Sequence, residues 1–131
     1  MNRVSLVARY LLGFLFTVIG LNGFFHFLPM PPPSNPLALQ YLTVVTASHY
    51  MVLIFLLQLI SGLLLLANRF VPLALTLLAA VLFNILLYHI TMDPKGIGLG
   101  IFAAILWLLT FSAYRIHFRP ILTSKHQPAT F

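Results

Sequence analysis

The chain has 131 residues, of which 61% are hydrophobic and only 6% are charged, and its net charge is +6. This number of charged side chains is too small to cover the surface of a soluble domain. The composition therefore excludes an ordinary soluble protein and indicates one that lies in a lipid bilayer. The chain contains no cysteine, which excludes a disulfide relay, a cysteine-bound iron–sulfur cluster and a thiol nucleophile within it.

Four apolar segments are long enough to cross a bilayer, whose hydrocarbon core takes about 20 helical residues. They cover residues 10–28, 50–67, 71–90 and 97–114. Short connections containing proline separate the last three segments, which indicates antiparallel neighbours. We therefore predict an all-α fold, an integral membrane bundle of four transmembrane helices that forms one domain over residues 1–119, followed by a polar cytoplasmic tail at residues 120–131.

The first connection is the longest, and it is uncharged. It begins with several prolines, which favour an extended segment. Asn35 and Pro36 then resemble a helix N-cap followed by a proline at the first helical position. A helix over Leu37 to Thr46 would be roughly 15 Å long, too short to span and too apolar to lie in water. We expect this short helix in the outer membrane interface or folded over the bundle as a lid.

The basic residues lie singly beside the ends of the predicted spans, so they indicate topology and not a nucleic-acid partner. With four spans, both termini are on one side of the membrane. That side carries Arg3, Arg9, Arg69, Arg115, Arg119 and Lys125, whereas the other carries Lys95 and the single acidic residue, Asp93. This bias predicts cytoplasmic termini.

Three of the predicted spans each carry one carboxamide at a similar depth in their outer halves. Asn22 and Asn84 lie roughly 9 Å from the outer ends of their helices, and Gln58 roughly 12 Å from its own. One interpretation is a polar layer that contributes to a binding pocket. The alternative is that these side chains only hydrogen-bond between neighbouring helices, at about 0.6 kcal/mol each.

A second polar level lies at the outer helix ends, where the sequence has His26, His49, Tyr88 and His89. His26 follows Asn22, and Tyr88 follows Asn84, at the four-residue spacing that aligns side chains on one helix face. The histidines are either interfacial groups in contact with lipid headgroups and water, or part of an outward-facing pocket. The candidate cofactor-binding residues are Asn22, His26, Gln58, Asn84, Tyr88 and His89.

Two classes of ligand suit such a pocket. A haem could be bound by His26, His49 or His89, because imidazole is a good axial ligand. A quinone or a lipid headgroup could enter from the bilayer and hydrogen-bond to a histidine and a carboxamide. A zinc hydrolase fits poorly, since the predicted pocket has no carboxylate to act as a general base.

Gly13, Thr17 and Gly20 form a stripe of small residues along the first predicted helix. Small residues allow two membrane helices to approach closely. The stripe therefore packs either on another protein or on a neighbouring helix of this chain.

Three features of the sequence occur together: the Asn22 and His26 pair, RFVPLAL at residues 69–75, and NILLYH at residues 84–89. In these stretches the chain resembles the DoxX-like family of small four-helix bacterial membrane proteins, and the resemblance covers nearly the whole chain. It implies a four-helix bundle in the bacterial cytoplasmic (inner) membrane with both termini cytoplasmic. The family takes its name from a small subunit associated with thiosulfate:quinone oxidoreductase. Many relatives carry an acidic residue where this chain has Gln58, so proton-coupled functions transfer poorly to it.

From these observations we expect a non-catalytic membrane subunit, an accessory component of a larger membrane complex that is linked to quinone redox chemistry. Its partners would be the lipid bilayer and other membrane-protein subunits. The alternative is a stand-alone protein that binds a quinone, lipid or haem in the outward-facing polar pocket.

Overall fold

The computed structural model describes residues 2–130, and every regular element in that range is helical. The α-helices of this range are α1 (Arg3–Phe25), α2 (Pro36–Ala47), α3 (Tyr50–Ala67), α4 (Val71–Thr91) and α5 (Ile97–Tyr114). Short 3-10 helices follow α4 at Pro94–Gly96 and α5 at Arg115–Leu122. Of these helices, α1, α3, α4 and the segment containing α5 are long and apolar enough to cross a membrane. The predicted all-α bundle of four membrane-spanning helices is confirmed.

Helix α1 differs at both ends from the predicted span over residues 10–28. It begins at Arg3 because the side chain of Asn2 caps it, accepting a hydrogen bond of 2.8 Å from the Ser5 amide. It ends at Phe25 because His26 adopts a left-handed backbone conformation, with φ of 53°. The other three spans start where they were predicted, and only α4 runs one residue further.

Helix α2 is the short helix predicted in the first connection. Asn35 caps it, accepting from the Leu37 amide at 2.9 Å, and Pro36 is its first residue. It is separate from α3, because His49, which lies between them, has a φ of 61°, and a right-handed α-helix requires a negative φ. The helix packs on α3. Its position relative to the bilayer surface stays a prediction.

The four long helices form a ring in which α1 contacts α3 and α5, and α4 contacts the same two helices. The start of α1 lies beside the end of α5, where the Ser5 and Ser112 hydroxyls are 3.5 Å apart. We call this the terminal end of the bundle, because α1 begins and α5 ends there. The opposite end, which carries α2, is called the distal end.

A layer of large apolar side chains fills the middle of the bundle. Its fully buried members are Leu12, Phe16, Leu65, Leu75 and Leu78. Trp107 of α5 borders this layer and donates a hydrogen bond of 2.8 Å to the backbone oxygen of Leu75 in α4. The apolar layer separates the polar groups of the distal end from those of the terminal end.

The small-residue stripe of α1 packs on α3, so the second of its two interpretations holds in this chain. A Cβ atom added to Gly20 would be 2.8 Å from the backbone nitrogen of Leu59, and one added to Gly13 would be 3.0 Å from the Gly62 oxygen. At Gly62 itself, a Cβ would be 2.6 Å from the backbone nitrogen of Thr17. The two backbones therefore approach each other more closely than any larger side chain would allow.

Arg9 joins three parts of the chain at the terminal end, although it is only 3% exposed. Its Nη1 donates to the Asn68 Oδ1 and, at 3.1 Å, to the Tyr114 hydroxyl, which itself donates to Asn68 at 3.2 Å. Both partners are neutral, and the single acidic side chain, Asp93, follows α4 at the distal end. The Arg9 Nε has no hydrogen-bond partner among residues 2–130. The Arg9 Cζ also lies 4.7 Å from the centroid of the Tyr10 ring, so the buried positive charge is held by neutral groups alone.

We expect opposite effects from removing this charge and from removing its partner. Arg9→Met should leave the free energy of unfolding unchanged or raise it by about 1–4 kcal/mol, because a packed apolar chain replaces an uncompensated buried ion. Asn68→Ala should lower it by about 3 kcal/mol, because the ion then loses its main acceptor and because alanine is less favourable than asparagine at the φ of 55° found there. Unfolding in detergent, followed by circular dichroism, measures both. A large loss of stability in Arg9→Met would contradict the expectation.

Candidate functional site

Two adjoining cavities occupy the distal end of the bundle, beneath α2. The larger, with a volume of about 610 Å³, is called the mouth cavity. The smaller, of about 250 Å³, extends between α3 and α4 and is called the deep cavity. The two share walls formed by Ile19, Leu42, Met51, Phe55, Tyr88 and His89. A single elongated ligand could therefore occupy both.

The six predicted site residues all line these cavities, but they divide between them. Asn22 and His26 line the mouth cavity, together with His49 and Asp93. Gln58 and Asn84 line the deep cavity. Tyr88 and His89 border both. Asn22 thus lines a different cavity from the other two carboxamides, and the single polar layer stays a prediction.

Gln58 is the most unusual residue of the deep cavity. Its side chain is only 3% exposed, and its Oε1 has no hydrogen-bond partner within residues 2–130. The Tyr88 hydroxyl is likewise buried without a partner in this range. Leaving a buried polar atom unpaired costs about 1–3 kcal/mol. Two such atoms on one cavity wall mark a place where a ligand could complete the hydrogen bonding.

Asn22 has a structural task that the sequence did not reveal. Its Oδ1 accepts a hydrogen bond of 2.7 Å from the amide of Leu28, beyond the end of α1. Its backbone oxygen accepts from the His26 amide at 2.8 Å. His26 is therefore the left-handed cap residue and is not stacked on Asn22 within a helix, which corrects the interpretation from the four-residue spacing. Asn22 positions the chain that forms the mouth-cavity wall.

Asn84 and His89 are also held by local bonds. The Asn84 Nδ2 donates to the Ala80 oxygen at 3.0 Å, and the residue is exposed, unlike Asn22 and Gln58. The His89 Nδ1 lies 3.0 Å from the backbone oxygen of Asp93. Because a carbonyl oxygen can only accept, Nδ1 carries the proton, which leaves Nε2 as an acceptor in the neutral ring.

The histidines differ in how well they could ligate a metal. His26 and His49 are exposed residues in left-handed conformations at helix ends. His89 packs closely on Gly96, where a Cβ would be 2.7 Å from the ring Cε1. Among residues 2–130, no group of three or more His, Asp or Glu side chains lies close enough together to hold a metal ion.

Two residues of this region were not predicted from the sequence. Tyr41 of α2 lines the deep cavity, and its ring centroid lies 5.5 Å from that of Tyr88. Ser61 is fully buried, and its hydroxyl lacks a partner in the described chain. Ser61 follows Gln58 by three residues, so it lies on the same face of α3. That spacing was a signal available in the sequence.

In comparisons with known proteins, no family model, no curated protein and no solved structure matches the chain. The function is therefore argued from the geometry of the two cavities.

Proposed function

We propose that the protein binds a neutral, largely apolar molecule with a polar head, of the quinone or lipid class, in the mouth and deep cavities. The observation that supports this most strongly is the Gln58 carboxamide oxygen, buried at the wall of the deep cavity without a partner in residues 2–130. The hydroxyl group of a lipid head or of a reduced quinone can donate a hydrogen bond there and offset the cost of the unpaired atom, whereas an oxidised quinone has only acceptor oxygens.

The residues that line the deep cavity explain why the ligand head is neutral. None of these lining residues is Asp, Glu, Lys or Arg. A charged head would lose its hydration without gaining a counter-ion, which is strongly unfavourable. A carboxamide offers an acceptor on one side and two donors on the other. Gln58 can therefore hydrogen-bond to a carbonyl oxygen or a hydroxyl group of the ligand. The aromatic rings of Tyr41, Phe55 and Tyr88 line the space around this ligand head.

A haem is a weaker candidate for this site. Its iron would take His26 or His49 as an axial ligand, and both lie at the exposed rim of the mouth cavity. His89 lies deeper, but its Nδ1 is bonded to the Asp93 oxygen and its ring packs on Gly96. The unpaired polar atoms of Gln58 and Tyr88 would still lack partners.

The proposal is tested by native mass spectrometry of the protein extracted from its own membrane in mild detergent. We expect an excess mass above the 14.7 kDa chain that identifies the ligand. Tyr88→Phe removes one unpaired hydroxyl with little change of shape, and it should weaken retention about fivefold. Tyr10→Phe, which removes an exposed hydroxyl at the terminal end, is the matched control and should retain the ligand fully.

Two results would contradict the proposal. The first is a bare chain mass that stays unchanged when decylubiquinol or a neutral monoacylglycerol is added. The second is equal loss of ligand in Tyr88→Phe and Tyr10→Phe, which would place the binding elsewhere.

A second candidate function is that of an accessory subunit in a larger membrane complex with quinone-linked redox chemistry. What favours it is the chemistry of the cavities, which offer hydrogen bonds but no cysteine. A reaction of the bound molecule would then depend on another subunit. The resemblance to the DoxX-like family points in the same direction. Recovery of a reproducible assembly with cofactor-bearing subunits in the same native mass spectra would support this role, and recovery of the chain alone would oppose it.

The proposed location is the bacterial inner membrane, with both termini in the cytoplasm. The charge bias supports the orientation, because all Lys and Arg residues except Lys95 belong to the side of the membrane predicted for the termini. The choice of membrane rests on the resemblance to the DoxX-like family. In this orientation the mouth cavity opens toward the outer side of the membrane.

A further inference from the structure

A narrow apolar groove runs along the outside of the bundle at the terminal end, between α1 and α5, with a volume of about 340 Å³. It is remote from the two distal cavities. Its floor contains the buried side chains of Ala8 and Leu106, and its walls are exposed apolar side chains. These wall residues are Val4, Val7, Leu11 and Leu109. The short side chain of Ala8 leaves the space between the two helices.

One end of this groove is polar. Arg3, the first residue of α1, is the only charged residue among those that line the groove, and its side chain is exposed. From Arg3 to Leu11 the groove extends roughly 12 Å along the helix. That length is close to half the thickness of a bilayer core, which is about 30 Å. A groove of this length would fit within one leaflet, with Arg3 at the level of the headgroups.

We infer that this groove binds an anionic phospholipid, with one acyl chain between α1 and α5 and the phosphate on Arg3. A guanidinium matches a phosphate in both charge and hydrogen-bond geometry. A protein helix is a poorer occupant, because it is about 10–12 Å wide with its side chains and needs a broader surface.

The charge distribution of the chain favours an anionic over a zwitterionic lipid. Six basic residues belong to the terminal end, and the single acidic side chain belongs to the other end. Arg9 adds to this field, because its buried guanidinium is hydrogen-bonded to the neutral groups of Asn68 and Tyr114 and contacts the neutral ring of Tyr10. No acidic side chain of the chain compensates the positive potential at this end, so a lipid with a net negative charge is attracted to it.

The test is lipid binding to the delipidated protein in detergent, measured by native mass spectrometry. Phosphatidylglycerol and phosphatidylcholine with the same oleoyl chains are titrated separately. We expect phosphatidylglycerol to bind at least about fivefold more tightly than phosphatidylcholine, because a single basic residue near a membrane surface strengthens the binding of an anionic lipid by about this factor. Arg3→Gln should remove most of this preference. Arg69→Gln is the matched control, since Arg69 is also an exposed arginine but lies in the α3–α4 connection, across the ring from the groove, and it should retain the preference.

A second variant tests the acyl chain. Val7→Phe fills the groove from an exposed position, so the protein should fold normally while both lipids bind more weakly. Inorganic phosphate should not displace the bound lipid, because it cannot occupy the apolar groove. Equal affinities for the two lipids, equal losses in Arg3→Gln and Arg69→Gln, or unchanged binding in Val7→Phe would each overturn the inference.

Discussion

Gly62→Ala is expected to lower the free energy of unfolding by about 3 kcal/mol, which is the largest loss we expect from adding a single methyl group to this protein. The added Cβ would lie 2.6 Å from the Thr17 nitrogen and 2.8 Å from the Gly13 oxygen. Both atoms belong to the backbone of α1, so no side-chain rotation can relieve the clash. The two helices must separate, and they lose contacts along their whole interface. Thermal unfolding in detergent, followed by circular dichroism, measures the effect.

Two further variants define the cause of this loss. Gly98→Ala is the matched control, because nothing lies within 4 Å of a Cβ added there, at the start of α5. It should leave stability unchanged or raise it by up to about 1 kcal/mol, since alanine favours the helix. Adding Thr17→Ala to Gly62→Ala should recover little stability, because the nearest obstacles other than the Thr17 hydroxyl are backbone atoms. Full recovery would show that the side chain, and not the helix approach, limits the space.

Gln58→Leu is expected to stabilise the empty protein and to abolish ligand retention. In the ligand-free state the buried Oε1 has no partner in the described residues, so replacing the amide with an apolar chain should raise the free energy of unfolding by about 1–3 kcal/mol. The same change removes the hydrogen bond that we propose for the ligand head. Thermal unfolding of the delipidated protein and native mass spectrometry of the mildly extracted protein measure the two effects separately.

Gln40→Leu is the matched control for this prediction. Gln40 is an exposed residue of α2 and lines neither cavity. It should change neither the stability of the empty protein beyond about 0.5 kcal/mol nor the retention of ligand. A loss of stability in ligand-free Gln58→Leu would mean that the carboxamide already has partners, and the proposed binding role of Gln58 would then be wrong.

The number and type of the helices follow directly from the sequence, because long apolar segments and proline-containing turns are local signals. Asn35 and Pro36 likewise marked the start of α2 correctly. Asn22 was harder to interpret, since its bond to Leu28 forms only once the chain has left the helix. The same side chain therefore looked like part of a polar layer. Its actual partner depends on the path of the following segment, which no periodicity specifies.

The candidate site shows the same limit at greater range. That Gln58 and Tyr88 would border one cavity could be anticipated from their depths in α3 and α4. That both would lack partners depends on the packing of α1, α2 and α4 around them. Asn84 was predicted at the same depth, yet the structure leaves it exposed and bonded to Ala80. Helix rotation, which decides this difference, results from tertiary contacts and not from spacing along one helix.

The layer of Leu12, Phe16, Leu65, Leu75 and Leu78 has a consequence for the energetics of the membrane. These five side chains are at most 1% exposed, and apart from the buried hydroxyl groups of Ser61 and Thr110 they place packed hydrocarbon between the Gln58 carboxamide and the Arg9 cluster. Moving a charge through such surroundings is strongly unfavourable. We therefore expect the bundle to be a poor path for protons and ions from one of its ends to the other.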